Sequence, residues 1–510
     1  MKTLRLILGD QLNSNHSWFQ SDNSQVTYVM MEVRTETDYV THHIQKVVGF
    51  FAAMRNFAQE LIANNHAVIY IKLNDADNLQ SFDLNINQLI SKEGFDKFEY
   101  QLPDEYRVDQ LIKKWCEAVN IPTEAFDTEH FFEERDGLGN FFHAKKTFLM
   151  ETFYRHIRKK HGVLMDADQP RTGKWNYDQD NRKKLPKNHK PNLPLEFENK
   201  VEQIFEEIQL AKIKTIGTIN DKRFLWPINR EQSIVLLDYF ATEFLSHFGD
   251  FQDSMTPAEW SLYHSRISFS LNTKMLSPLE VINRVIFEWE SNQGKIAFNQ
   301  VEGFVRQIIG WREYMRGIYW LKMPEYESLN FFGHKEKLPD WFWTGGTKMN
   351  CLKHSINQSL DFGYAHHIQR LMVTGNFALL AGVNPDEVDA WYLGVYMDAI
   401  QWVEITNTRG MSQFADGGIV GTKPYVSSAA YIDKMSHYCS SCYYQKNKKT
   451  GDKACPFNSL YWNFYDKHEA KMDKNPRIGM VYNLWRRMKP ESKRELIEQA
   501  KFYLENINDL

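Results

Sequence analysis

The sequence predicts an α/β N-terminal domain on a parallel, Rossmann-like sheet, followed by a larger all-α C-terminal domain. Three observations carry this. The first third alternates short β-branched or aromatic runs with segments of helical period, the pattern of a parallel sheet with helices on both faces. A polar, basic, proline-bearing stretch from Asp166 to Pro194 then breaks the periodicity. Beyond Glu196 the chain turns to long helical-period segments with many Trp and Tyr and little β-type alternation. The expected division is residues 1–135 as the α/β domain, 136–210 as a linker with a basic loop, and 211–510 as the helical domain.

In order, Leu4–Leu8 is an apolar run closed by Gly9-Asp10 and reads as the first strand; Val26–Val33 reads as the second. His42–Asn64 places Ile44, Val47, Val48, Phe51, Met54, Phe57 and Leu61 at helical spacing. Ala67–Leu73 and Phe98–Leu102 return to strand patterns, and Asp109–Ala118 to a helix. In such sheets ligands bind beyond the carboxyl ends of the strands, which is where Gly9-Asp10-Gln11 falls. No internal repeat or low-complexity tract interrupts the chain.

The 510 residues, 43% hydrophobic and 14% aromatic, supply enough material for buried cores and exclude a disordered or collagen-like chain. No stretch reaches the roughly 18 consecutive apolar residues of a membrane span. The opening run is broken by Arg5 and ended by Gly9-Asp10, unlike a signal peptide. A soluble, cytoplasmic, monomeric protein without disulfides is therefore expected. The net charge of −4 says nothing for nucleic acid, but its distribution does. Between Arg155 and Lys190 stand eleven Lys/Arg against four Asp, and a second basic stretch runs from Lys467 through Lys471, Lys474, Arg477, Arg486, Arg487 and Lys489. Such runs are often plain solvated faces, and they are also the footprint of phosphate-backbone binding. Charge alone does not choose between the two.

Of the five cysteines, Cys116 lies alone in an amphipathic segment and reads as a small buried hydrophobe. Cys439 and Cys442 in a Cys-x2-Cys pair, Cys455 thirteen residues on, and the distant Cys351 match a thiolate metal site. Four thiolates suit zinc or an iron–sulfur cluster, and the Cys455-Pro456 ending and aromatic surroundings lean toward the cluster. Most of the fourteen Trp and twenty-four Tyr must pack the core. Even so, Trp341, Trp343, Trp391 and Trp402 put oxidisable rings on several helical-domain segments. His264-Ser265-Arg266-Ile267-Ser268 offers hydroxyls, a guanidinium and backbone N–H groups suited to a pyrophosphate. His366, His367 and Arg370, with Asp398 downstream, make a polar cluster in apolar surroundings, in which Arg370 and Asp398 suit a buried pair.

These residues together resemble the photolyase/cryptochrome family. Ser265–Ser268 looks like the family's Thr-Ser-Arg-Leu-Ser flavin clamp, and Trp311-Arg312-Glu313 matches its Trp-Arg-Glu signature. Gly363–Met372 lines up with its Gly-Trp-x-His-x-x-x-Arg segment, and Asp398-Ala399 with its Leu-Asp-Ala-Asp region. Gly9–Leu12, His42-His43 and the four cysteines are similar to the bacterial iron–sulfur subgroup, whose members are (6-4) photolyases or light receptors.

The resemblance implies light-driven repair of pyrimidine (6-4) pyrimidone photoproducts in UV-damaged DNA. Rival implications are a cyclobutane dimer photolyase and a cryptochrome-like blue-light photoreceptor; a zinc-dependent nucleic-acid binder is disfavoured by the flavin clamp. FAD is implied at Ser265, Arg266, Ser268, Gln307, Trp311, Arg312, Arg370, Asp398, Glu404 and Asn407, with Glu404 standing where most of the family has Asn. His366 matches the proton donor and His367 flanks it; Leu371 or a near neighbour replaces the second His of the animal enzymes, which points to Tyr425 or Tyr431 for the relay. Trp343 and Trp391 are the implied electron relay. A 6,7-dimethyl-8-ribityllumazine antenna is implied at Asp10, Gln11, Glu36, His43 and Lys46. DNA phosphates are implied at Arg182, Lys183, Lys184 and Lys187, and a [4Fe-4S] cluster at Cys351, Cys439, Cys442 and Cys455.

Overall fold

The computed structural model describes residues 1–20, 24–219 and 223–510. Strands β1 (Thr3–Leu6), β2 (Val26–Met31), β3 (Ala67–Ile71), β4 (Lys97–Gln101) and β5 (Thr123–Phe126) pair in parallel, in the order β3-β2-β1-β4-β5. The register sets Leu4 beside Thr27 on one side and Phe98 on the other. The two-residue period of a strand then sorts the side chains by face. Leu4, Leu6, Val29, Met31 and Phe98 pack with Phe82, Ile86 and Leu89 of α2 (Phe82–Glu93) and with Val108 and Ile112 of α3 (Tyr106–Ala118). Tyr28 and Met30 turn the other way, to Val47, Val48, Phe51 and Met54 of α1 (Ile44–Ala63). The sheet is covered on both faces, as its near-continuous apolar strands require.

The far side of α1 is also buried, against Phe224, Trp226, Phe269, Tyr364 and Met397 from later in the chain. Gly49 allows that approach: a Cβ there would lie 2.7 Å from the Phe224 ring and 2.9 Å from Met397. The helix Met150–His161 packs Phe153, Tyr154 and Ile157 into the largest core, with Phe240, Phe304, Ile309 and Tyr314. From Asp166 to Pro194 the chain runs through two-residue strands and single 3₁₀ turns, in keeping with its composition. The rest is mostly helical. Among the described residues four helices contain a π-helical stretch: Phe240–Phe244, Arg306–Arg312, Arg370–Gly375 and Thr406–Ser412. No helix among the described residues is long and apolar enough to cross a membrane. Cys116 is partly exposed, not fully buried as its sequence setting suggested, because the outer face of α3 is open to solvent.

Candidate functional site

Three of the four π-helical stretches carry residues singled out from the sequence: Gln307, Trp311 and Arg312 on one, Arg370 on the second, Asn407 on the third. A π turn adds a residue to the helical repeat and re-aims side chains, which is why such turns gather at functional sites. Arg370 meets Asp398 through two hydrogen bonds, Nη1 to Oδ1 at 2.9 Å and Nη2 to Oδ2 at 3.2 Å. Ser268 Oγ donates to Asp398 Oδ2 at 2.7 Å, and Asn272 Nδ2 donates to the Asp398 carbonyl at 2.7 Å. The Arg370 guanidinium also lies 3.8 Å from the centre of the Tyr396 ring. A charge pair taken out of water needs this many partners to be tolerated.

Other members of the set are placed differently. Arg266 adopts a left-handed backbone (φ 55°), stacks over Trp260 at 4.9 Å and donates to the Leu195 carbonyl, so its guanidinium serves packing. Ser265 is partly exposed beside it. Arg312 lies over Phe131 (4.7 Å) and Trp402 (5.0 Å), with Nη2 against His130 Nε2 at 3.1 Å. Burial pushes both guanidinium groups down to about 10. Gln307 and Asn407 donate back to their own helices, at Gly303 and Val403, and Trp311 is edge-on to Tyr314. Burial, with repulsion from Asp389, raises Glu404 well above the usual carboxylate range.

Five buried polar atoms on these segments have no protein partner: Arg266 Nε, Arg312 Nη1, Trp402 Nε1, Glu404 Oε1 and His366 Nδ1. Folded proteins rarely leave such atoms unsatisfied, so a bound polar group completes them. Most are donors, which fits a flavin nucleotide with its anionic diphosphate.

The two adjacent histidines differ in exposure. His366 is buried, 3% exposed, and its ring stacks on His264 at 4.5 Å and 12°. His367, at the start of the next turn, is the exposed one of the two. Tyr425 and Tyr431 are partly buried elsewhere. Both sit within electrostatic reach of Arg182, Tyr425 with Asp178 and Tyr431 with Asp253.

Trp391 is fully buried and Trp343 is 40% exposed. Trp391 is 5.3 Å from the ring of Phe342, the neighbour of Trp343, and 5.7 Å from Tyr396, which underlies Arg370. Of the linker cations, Arg182 pairs with Asp178, Lys183 with Asp250 at 2.9 Å, and Lys184 donates to the Asp433 carbonyl at 2.6 Å, while Lys187 is exposed. Arg182 and Lys183 line an open groove with Tyr177, Asp180, Phe298 and Asn299.

Cys351, Cys439, Cys442 and Cys455 line one small cavity with Met349, Ile432, Tyr438, Tyr444 and Phe457. They reach it from the first turn of helix Asn350–Phe362, the turn Tyr438–Ser441 and its following residue, and the N-cap of helix Pro456–Lys467. Burial, with the nearby sulfurs adding to it, raises Cys351 well above the thiol range and pushes Cys455 up to about 12. Among the described residues no three His, Cys, Asp or Glu side chains converge closely enough for a single metal ion.

A larger cleft of about 920 Å³ of empty space, its open mouth included, lies beyond the carboxyl ends of β1, β2 and β4 and is closed on its far side by Ala399–Trp402. Asp10, Glu36 and Lys46 line it, as expected. Gln11 and His43 do not. Gln11 is fully buried and accepts from the Leu8 N–H at 3.0 Å, closing the turn after β1. His43 caps α1, accepting from the Gln45 N–H at 3.1 Å. The ring that does line the cleft is His42, with both nitrogens buried and unpartnered. Glu105, unforeseen from the sequence, is pushed up to about 7 by burial, with Arg107 opposing and Glu36 adding repulsion. Polar groups at the mouth and apolar walls (Met31, Val47, Phe50, Phe51, Met54, Phe82) fit a flat polar heterocycle.

A family model described as "Deoxyribodipyrimidine photo-lyase-related protein" matches residues 5–224. Over its whole length the chain is 40% identical to the whole of a curated protein named (6-4) photolyase, from Agrobacterium fabrum. The chain belongs to the photolyase/cryptochrome family. The fold agrees: the crystal structure of a bacterial class III photolyase from Agrobacterium tumefaciens superposes with a TM-score of 0.59 at 16% identity, over 85% of this chain and 84% of that one. A cryptochrome from Synechocystis superposes with a TM-score of 0.57 at 12% identity, over 85% and 86%. Membership of the photolyase/cryptochrome family implies FAD as the bound group. Sequence reasoning missed Tyr396, Arg107, Glu105 and Asp253. Each earns its place by its tertiary neighbours, and none stands in a motif that could have flagged it.

Proposed function

We propose that the chain is a (6-4) photolyase: a light-driven enzyme that reverses pyrimidine (6-4) pyrimidone photoproducts in UV-damaged DNA. The observation that carries the reading is the full-length 40% identity to the curated (6-4) photolyase. The solvent-open His367 beside the Arg370–Asp398 pair supports it. FAD, when bound and reduced, supplies the light-excited electron. Ser268, Arg370 and Asp398 hold the flavin ring's neighbourhood rigid, and the unpartnered Arg312 and Arg266 nitrogens meet its polar atoms. Glu404, its carboxyl raised well above the usual range by burial, stands there where most of the family has an amide.

The lesion leaves the base stack cheaply, because damaged bases pair and stack poorly. His367 then supplies a proton to the group that returns from one base to the other, so that it leaves as a neutral species. Its surroundings and the charge of Arg370 push His367 down to about 4 in the free protein. Phosphates brought in with the DNA act with the opposite sign and restore its proton. The four thiols gathered around one apolar cavity support a [4Fe-4S] cluster. The sheet-edge cleft supports a ribityllumazine antenna held by Asp10, Glu36, Lys46 and His42. Trp343 and Trp391, continued by Tyr396, support an electron route from the surface.

The test is blue-light repair of an oligonucleotide carrying a (6-4) lesion, by wild-type protein and His367→Ala at matched flavin content. Loss of a positioned proton donor lowers the repair rate by roughly 10²–10⁴. A wild-type rate for His367→Ala overturns the donor assignment. Flavin absorption bands without repair of the (6-4) lesion overturn the enzyme reading.

A further inference from the structure

Part of the second basic stretch lies beside Tyr425, within electrostatic reach of the linker's Asp178 and Arg182. Asn475 Nδ2 donates to the Thr422 carbonyl at 3.0 Å, tying this stretch to the loop that carries Lys423 and Tyr425. Asn475 Oδ1 accepts from the Arg477 N–H at 3.0 Å, folding the segment into a turn. On either side the segment is anchored: Met472 and Ile478 are 2% and 3% exposed, and Lys471 Nζ donates to the Phe331 carbonyl at 2.7 Å. Pro424 and Pro476 restrict the backbone of both pieces. Arg477 lies close enough to Tyr425 to act on its hydroxyl, alongside Asp178 and Arg182.

The cations differ from those of the linker. Arg182, Lys183 and Lys184 each have an internal acceptor, as given above. Lys423, Lys474 and Arg477 are all exposed, and among the described residues none forms an ion pair. Their charge is therefore directed at solvent on a protein whose net charge is −4. The backbone of both pieces is tied down, so the cluster meets an anion without rearranging the chain that carries it.

Resting on the photolyase reading, we infer that Lys423, Lys474 and Arg477 form a phosphate clamp that holds the DNA backbone beside the linker. Arg477 offers a planar fork to a phosphate, and the two lysines act as point charges. Three such contacts release three condensed counterions on binding.

The experiment measures the affinity of lesion-bearing duplex between 50 and 200 mM salt. It uses wild-type protein, the triple variant Lys423→Ala/Lys474→Ala/Arg477→Gln and the control Arg494→Gln, an exposed residue on the last long helix. A slope of about 0.9 per phosphate makes the wild-type loss of affinity over that range roughly 40-fold larger than the triple variant's. The control keeps the wild-type slope. Equal slopes for wild type and a triple variant with an unchanged melting temperature overturn the clamp. If the wild type itself binds no DNA, the photolyase reading falls first. Single variants follow if the triple variant does not fold, each removing about one-third of the difference in slope.

Discussion

The sheet-edge cleft and the Arg370–Asp398 site both hold charged groups away from bulk water, but they balance them differently. In the cleft, each carboxylate has a cation from a neighbouring segment: Lys274 between Asp10 and Asp104, and Arg107 between Glu36 and Glu105. The charges are settled before any ligand enters, and the cleft is open space bounded by apolar walls. Around Arg370 the salt bridge is complete, yet neighbouring His366 and Arg266 keep buried atoms without partners. The first arrangement compensates its charges and leaves the His42 ring for a ligand to complete; the second leaves the His366 ring and the Arg266 Nε, and an unsatisfied buried donor costs about 1–3 kcal/mol.

Three substitutions break or sharpen that contrast. Arg370→Ala has the largest expected effect, since it strands the Asp398 carboxylate, whose side chain is 13% exposed. Removing one member of a buried pair costs about 3–5 kcal/mol. Denaturant unfolding of flavin-loaded protein checks this, and a loss below 1 kcal/mol would mean that water already reaches the pair. Glu36→Gln comes next. It takes the charge from one wall of the cleft while Arg107 keeps Glu105. Roughly tenfold weaker binding of added ribityllumazine is expected, from the loss of one charge-assisted hydrogen bond. Flavin content should stay at the wild-type level, and a parallel loss of flavin would show that the two sites are one cooperative unit.

The smallest effect belongs to a buried polar pair that needs no ligand. His334 and His468 meet through their Nε2 atoms at 3.2 Å, and both rings are 5% exposed. Burial, with neighbouring positive charge, pushes them down to about 4 and about 3. A histidine depressed in the folded state binds fewer protons there than when unfolded. Its contribution is present above pH 6.5 and drains away as the pH falls toward 4. His468→Phe should flatten the stability profile between pH 6.5 and 4 relative to wild type. An unchanged slope would assign acid sensitivity to other groups.

Much of the architecture was legible in order along the chain. The strands at Leu4, Val26, Ala67 and Phe98 and the long helix after His42 lie within two or three residues of where their periodicity put them. Helix α2 and the edge strand β5 escaped notice. Phe82–Glu93 carries a diluted apolar stripe, and Thr123–Phe126 is short and pairs on one side only. The four cysteines and the Arg370–Asp398 pair were also visible, as motif residues whose convergence is chemically needed. Which of two adjacent histidines faces solvent was not, since neighbours in sequence differ by a third of a helical turn and only packing decides which points inward.

What the amino-acid order determined by itself was periodicity and chemical inventory: a parallel sheet, a helical region, four thiols, a clustered set of His, Arg and Asp. Those are local properties, set by spacing along one chain. What only the tertiary structure decided was partnership. His42 and not His43 lines the cleft, Arg266 packs on Trp260, and Lys183 and Lys184 of the linker are tied down while Lys423 and Arg477 are not. Each of these depends on residues tens to hundreds of positions away, and burial and charge compensation are sums over neighbours that the folded chain alone brings together.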